Sequence, residues 1–522
     1  MRSTGALSFL LALLLGAASF SADAGTVIEG EYQLQLDIRK QDRFFPWDFE
    51  SNNNDTYAAS QFRIFSQPRT GVETFVKFEA DWYTGGNEND RPLFQYRESH
   101  ARFHTPVTFP RGKKSIAEVY LFSRQNRYWV ENHLIRVVDP EIVKDSDNAQ
   151  GFRLNLKTEN WADVFTYIMS DFSSRSRVGG GVTPSSSDDA HIVRWRPVLT
   201  NRVRFGGTYA RRTSDPATDV DYSEVWAFDG RYALGNADLY LEYSSTKQVG
   251  TDQYDEDGFH FGEWKIDRFS AVLPRNSALK AEIRALTIGT PSLGYYNVAP
   301  SYYYYGPDHV LALGREWNDD YRAHITQDLV GFGVNTWYLL PKRAITITVD
   351  YRESGRFVYE KKDVKRWRTE IYTEYVNGFT SKLWYDRRRT VDTSNPLFED
   401  VTKNYDLFGE VQVESRLAWM RVQGKLKDLE TNFKKELVSL EAAVNLTGNL
   451  KLYSRYAFGN DPARLRKGLF TELQYRPQRN MDLYLSYGPF WIGDSNNPVD
   501  DGDLAGGADN KDMIRLIMKG NF

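Results

Sequence analysis

Asp512-Met513-Ile514-Arg515-Leu516-Ile517-Met518-Lys519-Gly520-Asn521-Phe522 closes the chain, and its alternation decides the fold. Ile514, Leu516, Met518, Gly520 and Phe522 share one side; Arg515, Lys519 and Asn521 share the other. A period of two is that of a β-strand with one apolar and one polar face. A strand that ends on an aromatic residue offers an unpaired edge unless it closes onto another strand. The fold class read from this segment is all-β, a single antiparallel up-and-down barrel.

The same ending resembles the closing strand of Gram-negative outer-membrane β-barrels of the porin-like kind. The resemblance implies that Phe522 serves as the assembly signal and that the barrel assembly machinery is a partner. It also implies residence in the cell outer membrane, among its lipid and lipopolysaccharide. The opening residues agree with export. Arg2 supplies a positive start, an apolar run extends from Leu7 to Phe20, and Ala22-Asp23-Ala24 is a small-x-small cleavage site. Residues 1–24 therefore read as a signal peptide and 25–522 as one transmembrane β-barrel with no separate plug domain.

Composition excludes several classes. The chain has no cysteine, so thiolate metal sites, covalent haem attachment through cysteine and cysteine nucleophiles are ruled out. Aromatic residues make up 15%, with 32 Tyr and 13 Trp, a load suited to girdles at two membrane interfaces. The net charge of −4 gives no basic signature of a nucleic-acid partner. Nothing after residue 24 has the length of an apolar transmembrane helix. No cofactor or metal is indicated.

Short turns punctuate the mature chain. Pro197-Val198-Leu199-Thr200-Asn201, Gly235-Asn236, Pro274-Arg275-Asn276, Pro341-Lys342-Arg343, Asn377-Gly378, Gly448-Asn449 and Pro477-Gln478-Arg479-Asn480 are hairpin turns by composition, with a weaker one near Ser415-Arg416. Alternating runs follow them. Asp238-Leu239-Tyr240-Leu241-Glu242-Tyr243 returns as Asp482-Leu483-Tyr484-Leu485-Ser486-Tyr487. The runs give about 24 strands (22–26), with the segment 292–323 hardest to assign. Long loops are expected at 39–55, 126–148, 173–188, 292–323 and 491–510, either outside the cell or folded inward.

The polar alternate positions line the lumen. In that set are Arg153, Arg202, Arg204, Arg352, Arg368, Glu370, Glu374, Lys382, Asp386, Arg455, Glu472 and Arg476. Rings of such charges tune ion selectivity, and opposite charges on neighbouring strands pair and stiffen a wall. Arg368 and Glu370 beside Lys382 and Asp386 read as a cross-strand ladder. Basic clusters at Arg39-Lys40, Arg211-Arg212, Lys361-Lys362, Arg387-Arg388-Arg389 and Lys434-Lys435 fall at the outer strand ends, in reach of lipopolysaccharide phosphates. Asp500-Asp501-Gly502-Asp503 lacks the ligand spacing of a calcium loop and reads as solvated. His100 and His104 share a strand face and do not have helical metal spacing. No nucleophile elbow, zinc-protease helix or phosphate loop is present, so the chain is not expected to be an enzyme.

Tyr96-Arg97-Glu98-Ser99-His100-Ala101, Leu121-Phe122-Ser123-Arg124-Gln125 and Asn148-Ala149-Gln150-Gly151-Phe152-Arg153-Leu154 resemble a succession found in alginate-export-type porins. Ser123 stands where that family has glycine. The resemblance implies porin-like descent and no particular polysaccharide site. The functional expectation is a porin-like channel for polar solutes or for export of a polymer. The alternative is a barrel scaffold enclosing a lumen-filling partner such as a multihaem cytochrome in an electron conduit.

Overall fold

The computed structural model describes residues 25–39, 48–49, 57–69, 71–83, 93–109, 113–123, 130, 134–138, 150–158, 164–171, 177–178, 181–182, 189–197, 199–200, 202–213, 222–249, 264–266, 269–271, 273–284, 286–311, 317–318, 321, 323–324, 327–341, 344–356, 358, 361–375, 378–395, 398–429, 435–460, 467–488 and 513–521. The signal segment 1–24, Phe522, the acidic run 500–503 and most of the expected long loops lie outside the described residues.

Contacts divide the chain into two units. In the first, Met513–Asn521 pairs antiparallel with Met481–Gly488 on one side and with Thr26–Arg39 on the other. Glu31 stands opposite Asn521 and Arg39 opposite Met513, so the last strand closes on the first. The terminal edge that the sequence pattern warned of is thereby removed. From Thr26–Arg39 the ladder continues to Tyr57–Arg69, Val72–Tyr83 and Leu93–Phe109. The last pairing contains a register shift between Lys77 and Phe78, which leaves Arg97 as the extra residue of a bulge.

The second unit is an unbroken antiparallel meander from Lys113–Ser123 to Asp400–Glu414. Ser277–Arg284 and Leu286–Thr290 are two segments of one wall strand, since both pair with Gly294–Tyr305. All wall strands belong to one sheet of 26 segments. Merging those two segments, and treating Asp48–Phe49 as an extension beside Thr26–Arg39, gives a closed antiparallel barrel of 24 strands.

The faces follow the period of two. Leu239 and Leu241 are exposed on one face of Asp238–Val249, while Glu242 and Ser244 are buried on the other. Trp226, Phe228, Leu383, Val411, Met420, Leu440, Leu469, Leu485 and Leu516 are likewise exposed on the face away from the charged side chains. Fully burying a large apolar side chain is worth about 1.5–3 kcal/mol. A continuous belt of such residues would be costly in water and is satisfied by lipid. The polar face is then the inner wall.

Two sequence expectations need correction. Pro274-Arg275-Asn276 is not the tight turn of a wall hairpin; it leads from a separate short hairpin, Trp264–Ile266 with Phe269–Ala271, into the strand Ser277–Arg284. The tight turn of this region is 291–293, closed by Leu293 N donating to Thr290 O at 3.1 Å, with Gly294 at φ +84°. A Cβ on Gly294 would lie 2.3 Å from Leu339 O, so both dihedral and space require glycine. The segment 292–323 is not one long loop. It supplies the wall strand Gly294–Tyr305, and Trp317–Asn318 pairs with Ala323–His324 outside the wall sheet. The alternation was masked there by Tyr302-Tyr303-Tyr304-Tyr305, which is aromatic on both faces.

Candidate functional site on the inner wall

In the second unit the inner wall is not uniformly polar. Phe122, Ile168, Ala190, Ile192, Ala210, Val225, Ala227 and Ala278 occupy inner-face positions on successive strands and are buried. They are covered by Val130, Ile135, Val137 and Val138, from the connection after Lys113–Ser123. Ile135 and Val137 have no exposed surface. Part of the expected loop 126–148 therefore folds inward onto the wall.

A carboxylate fixes this segment. Glu242 Oε2 accepts the backbone amides of Leu134 at 2.7 Å and Ile135 at 3.0 Å. Lys280, opposite Glu242 on the next strand, donates Nζ to Leu134 O at 3.2 Å. Buried backbone amides without partners are costly, so the contacts select this seat as well as hold it. Glu242 itself is fully buried, and its Oε1 has no hydrogen-bond partner.

A second segment, 306–311, covers the same strand further along. His309 is fully buried, with Nε2 2.8 Å from Ser244 Oγ. Val310 N donates to Thr246 Oγ1 at 3.2 Å, and Arg275 bonds Asp308 through Nε at 2.6 Å. Opposite Glu242 on the preceding strand, Asp229 forms a bidentate pair with Arg194, each side chain 1% exposed, and Arg194 also donates to Thr208 Oγ1 at 3.1 Å.

Beside the covered patch lies a groove of about 440 Å³ lined by Lys280, Glu282, Arg284, Tyr303, Asn335 and Asp350, among others. Gly333 forms part of its floor: a Cβ there would lie 3.0 Å from the Ser301 hydroxyl. Its charges are matched along each strand, Arg284 with Glu282 at 2.6 Å and Arg352 with Asp350 at 3.0 Å.

Further round this unit, Trp384 and Phe408 stack at 5.3 Å between centroids and are buried under cations. Arg368 lies 4.5 Å and Lys425 4.9 Å from the Trp384 centroid, and Lys382 lies 5.8 Å from that of Phe408. Such contacts add to the attraction of a desolvated cation for an aromatic face.

The residues expected to line the lumen are distributed over both units; those in paired strands share the face opposite the exposed apolar side chains, while Arg202 precedes its strand and Arg476 falls at a register break. Arg368 bonds Glu370 at 3.1 Å, with Lys382 3.9 Å from the same carboxylate. Asp386 is held by Arg366 at 2.5 Å, a partner the sequence reading missed. Arg153 Nε donates to Asn155 at 2.9 Å. Arg202, Arg204 and Glu374 are exposed near the short-turn end of their strands, and Arg204 stands opposite Arg231. In the first unit, Arg455 shares Glu441 with Arg421, Glu472 accepts from Ser486 at 2.8 Å, and Arg476 bonds Asp482 at 2.6 Å. Arg194, Asp229, Glu441 and the anchoring role of Glu242 were not singled out. One signal could have found the covered patch: Ile192-Val193 and Val225-Trp226-Ala227-Phe228 are apolar on both faces. Among the described residues no cluster of His, Asp and Glu could hold a metal ion.

Closure, strand number and an apolar outer face together define a transmembrane β-barrel of the Gram-negative outer membrane. Solved structures share its course. The P pilus tip assembly intermediate PapC-PapD-PapK-PapG from E. coli matches with a TM-score of 0.50 at 8% identity, over 96% of this chain and 62% of that one. The siderophore receptor PirA from Pseudomonas aeruginosa gives 0.42 at 7%, over 95% and 80%. The copper transporter OprC gives 0.40 at 8%, over 96% and 81%. At these identities only the barrel fold is shared, and the first match alone of the three carries that inference. No family model matches the sequence, and no curated protein matches it. The alginate-export resemblance thus gains no support.

Proposed function

We propose that the chain is an outer-membrane channel, porin-like in carrying polar solutes or an exported polymer, with its passage narrowed by residues 134–138. The observation that carries this reading is the Glu242 carboxylate holding the Leu134 and Ile135 amides on the inner wall. Barrels of sixteen to eighteen strands already enclose an aqueous channel, and a wider one needs an internal element to restrict it. The charge-lined groove and the capped Trp384 pair supply the polar wall such a passage needs.

The test is single-channel recording of the refolded chain in a planar bilayer. Steady openings with ion selectivity support the channel. A folded barrel that never conducts counts against it. A chain that folds only around a second protein favours the scaffold for a lumen-filling partner.

A further inference from the structure

Four cations gather on the lipid-facing side of the second unit. Arg389 stands directly opposite Lys365 on one neighbouring strand and Lys403 on the other. Arg387, two residues along the same face, stands opposite Trp367 and Tyr405, its guanidinium 5.3 Å from the Tyr405 centroid. Facing side chains on adjacent strands are about 5 Å apart at Cβ, where like charges repel. Lys365 has a partner, Glu353, at 2.9 Å, and Asp363 lies two residues beyond it on the same face. Arg387, Arg389 and Lys403 are exposed, and among the described residues Arg389 and Lys403 have no ion pair.

The position matters as much as the charge. Strands Lys362–Tyr375 and Phe379–Asp392 are joined by a short turn at their other end, as are Asp400–Glu414 and Ala418–Lys427. The cations therefore lie toward the long-connection end, which faces the outer leaflet in barrels of this class. Trp367 stands level with Arg387, and Tyr385, Leu383 and its neighbour Ile371 follow on the same face toward the short-turn end, all exposed. An occupant must bring more than one negative group to neutralise opposed cations, and acyl chains to cover the surface beneath. Arginine suits phosphate through paired donors.

We propose that Lys365, Arg387, Arg389 and Lys403 bind the phosphate groups of a phosphorylated glycolipid of the outer leaflet, with its acyl chains along the apolar face below. The site stands independently of whether the lumen conducts.

Native mass spectrometry of the full-length barrel, refolded in detergent and titrated with bisphosphorylated lipid A, tests it. The comparison lipid is the same molecule stripped of its phosphates. The wild type is expected to retain the phosphorylated lipid at least tenfold more tightly than the stripped one. The variant Arg387→Gln/Arg389→Gln/Lys403→Gln should lose that margin. Arg416→Gln/Arg479→Gln, changed in short turns outside the cluster, should keep it. Equal retention of both lipids by the wild type overturns the proposal without any variant. So does a triple variant that stays heat-modifiable on gels and binds like the wild type.

Discussion

Glu242 accepts the backbone amide of Leu134 at 2.7 Å across 108 residues of sequence, and both partners are buried. A carboxylate on a barrel wall thus organises a segment that would otherwise need its own hydrogen-bonded structure. Because the chain lacks cysteine, a single Ile135→Cys reports on that seat directly. Ile135 has no exposed surface, so the thiol is expected to resist a hydrophilic maleimide in the folded barrel. Adding Glu242→Ala should raise the labelling rate at least tenfold. Equal rates in the two backgrounds would show that Glu242 does not hold the segment.

The Arg194–Asp229 pair makes a second prediction. Removing one partner of a buried pair leaves a charge uncompensated, at a cost of about 3–5 kcal/mol. Asp229→Ala should therefore lower the urea midpoint of the barrel in lipid vesicles, followed by tryptophan fluorescence. The double change Arg194→Met/Asp229→Leu removes both charges and should recover most of the loss. A double variant as unstable as Asp229→Ala would assign the loss to packing.

Gly206 sits beneath that pair. A Cβ there would lie 2.5 Å from Arg194 Nη2 and 2.7 Å from its Cζ, and the guanidinium cannot swing away while bound to Asp229. Gly206→Ala is expected to destabilise by about 1–3 kcal/mol, the range for overpacking. Gly424→Ala, with nothing within 4 Å of the new atom, should be neutral or slightly stabilising in the same urea titration.

The capped aromatic pair bears on selectivity. Arg368, Lys382 and Lys425 crowd the ring faces of Trp384 and Phe408 on the inner wall. Changing all three to Gln should move the reversal potential in a salt gradient toward cation preference. An unchanged potential would mean that these charges serve only the wall.

Much of the fold was legible because a barrel wall is written locally. The copies at Asp238–Tyr243 and Asp482–Tyr487 announce strand, face and turn within six residues. Register then carries Arg368, Glu370, Lys382 and Asp386 to one face, as their parity implied. Partner choice was less legible, since Arg366 and Arg368 have equal claim by parity, and geometry gives Asp386 to Arg366. The inward segment was harder still. Ile135, Val137 and Val138 have no strand period, and their partners Ile192, Val225 and Ala227 lie far along the chain. Only the two-faced apolar stretches of the receiving strands betray it.

Planar-bilayer conductance of the wild type against a variant with residues 130–138 replaced by a Gly-Ser linker of equal length decides whether the inward segment narrows the passage. Both barrels are expected to open, and the replaced one to pass a distinctly larger current. Equal currents would contradict a passage narrowed at this point, and no current from either would contradict the channel itself.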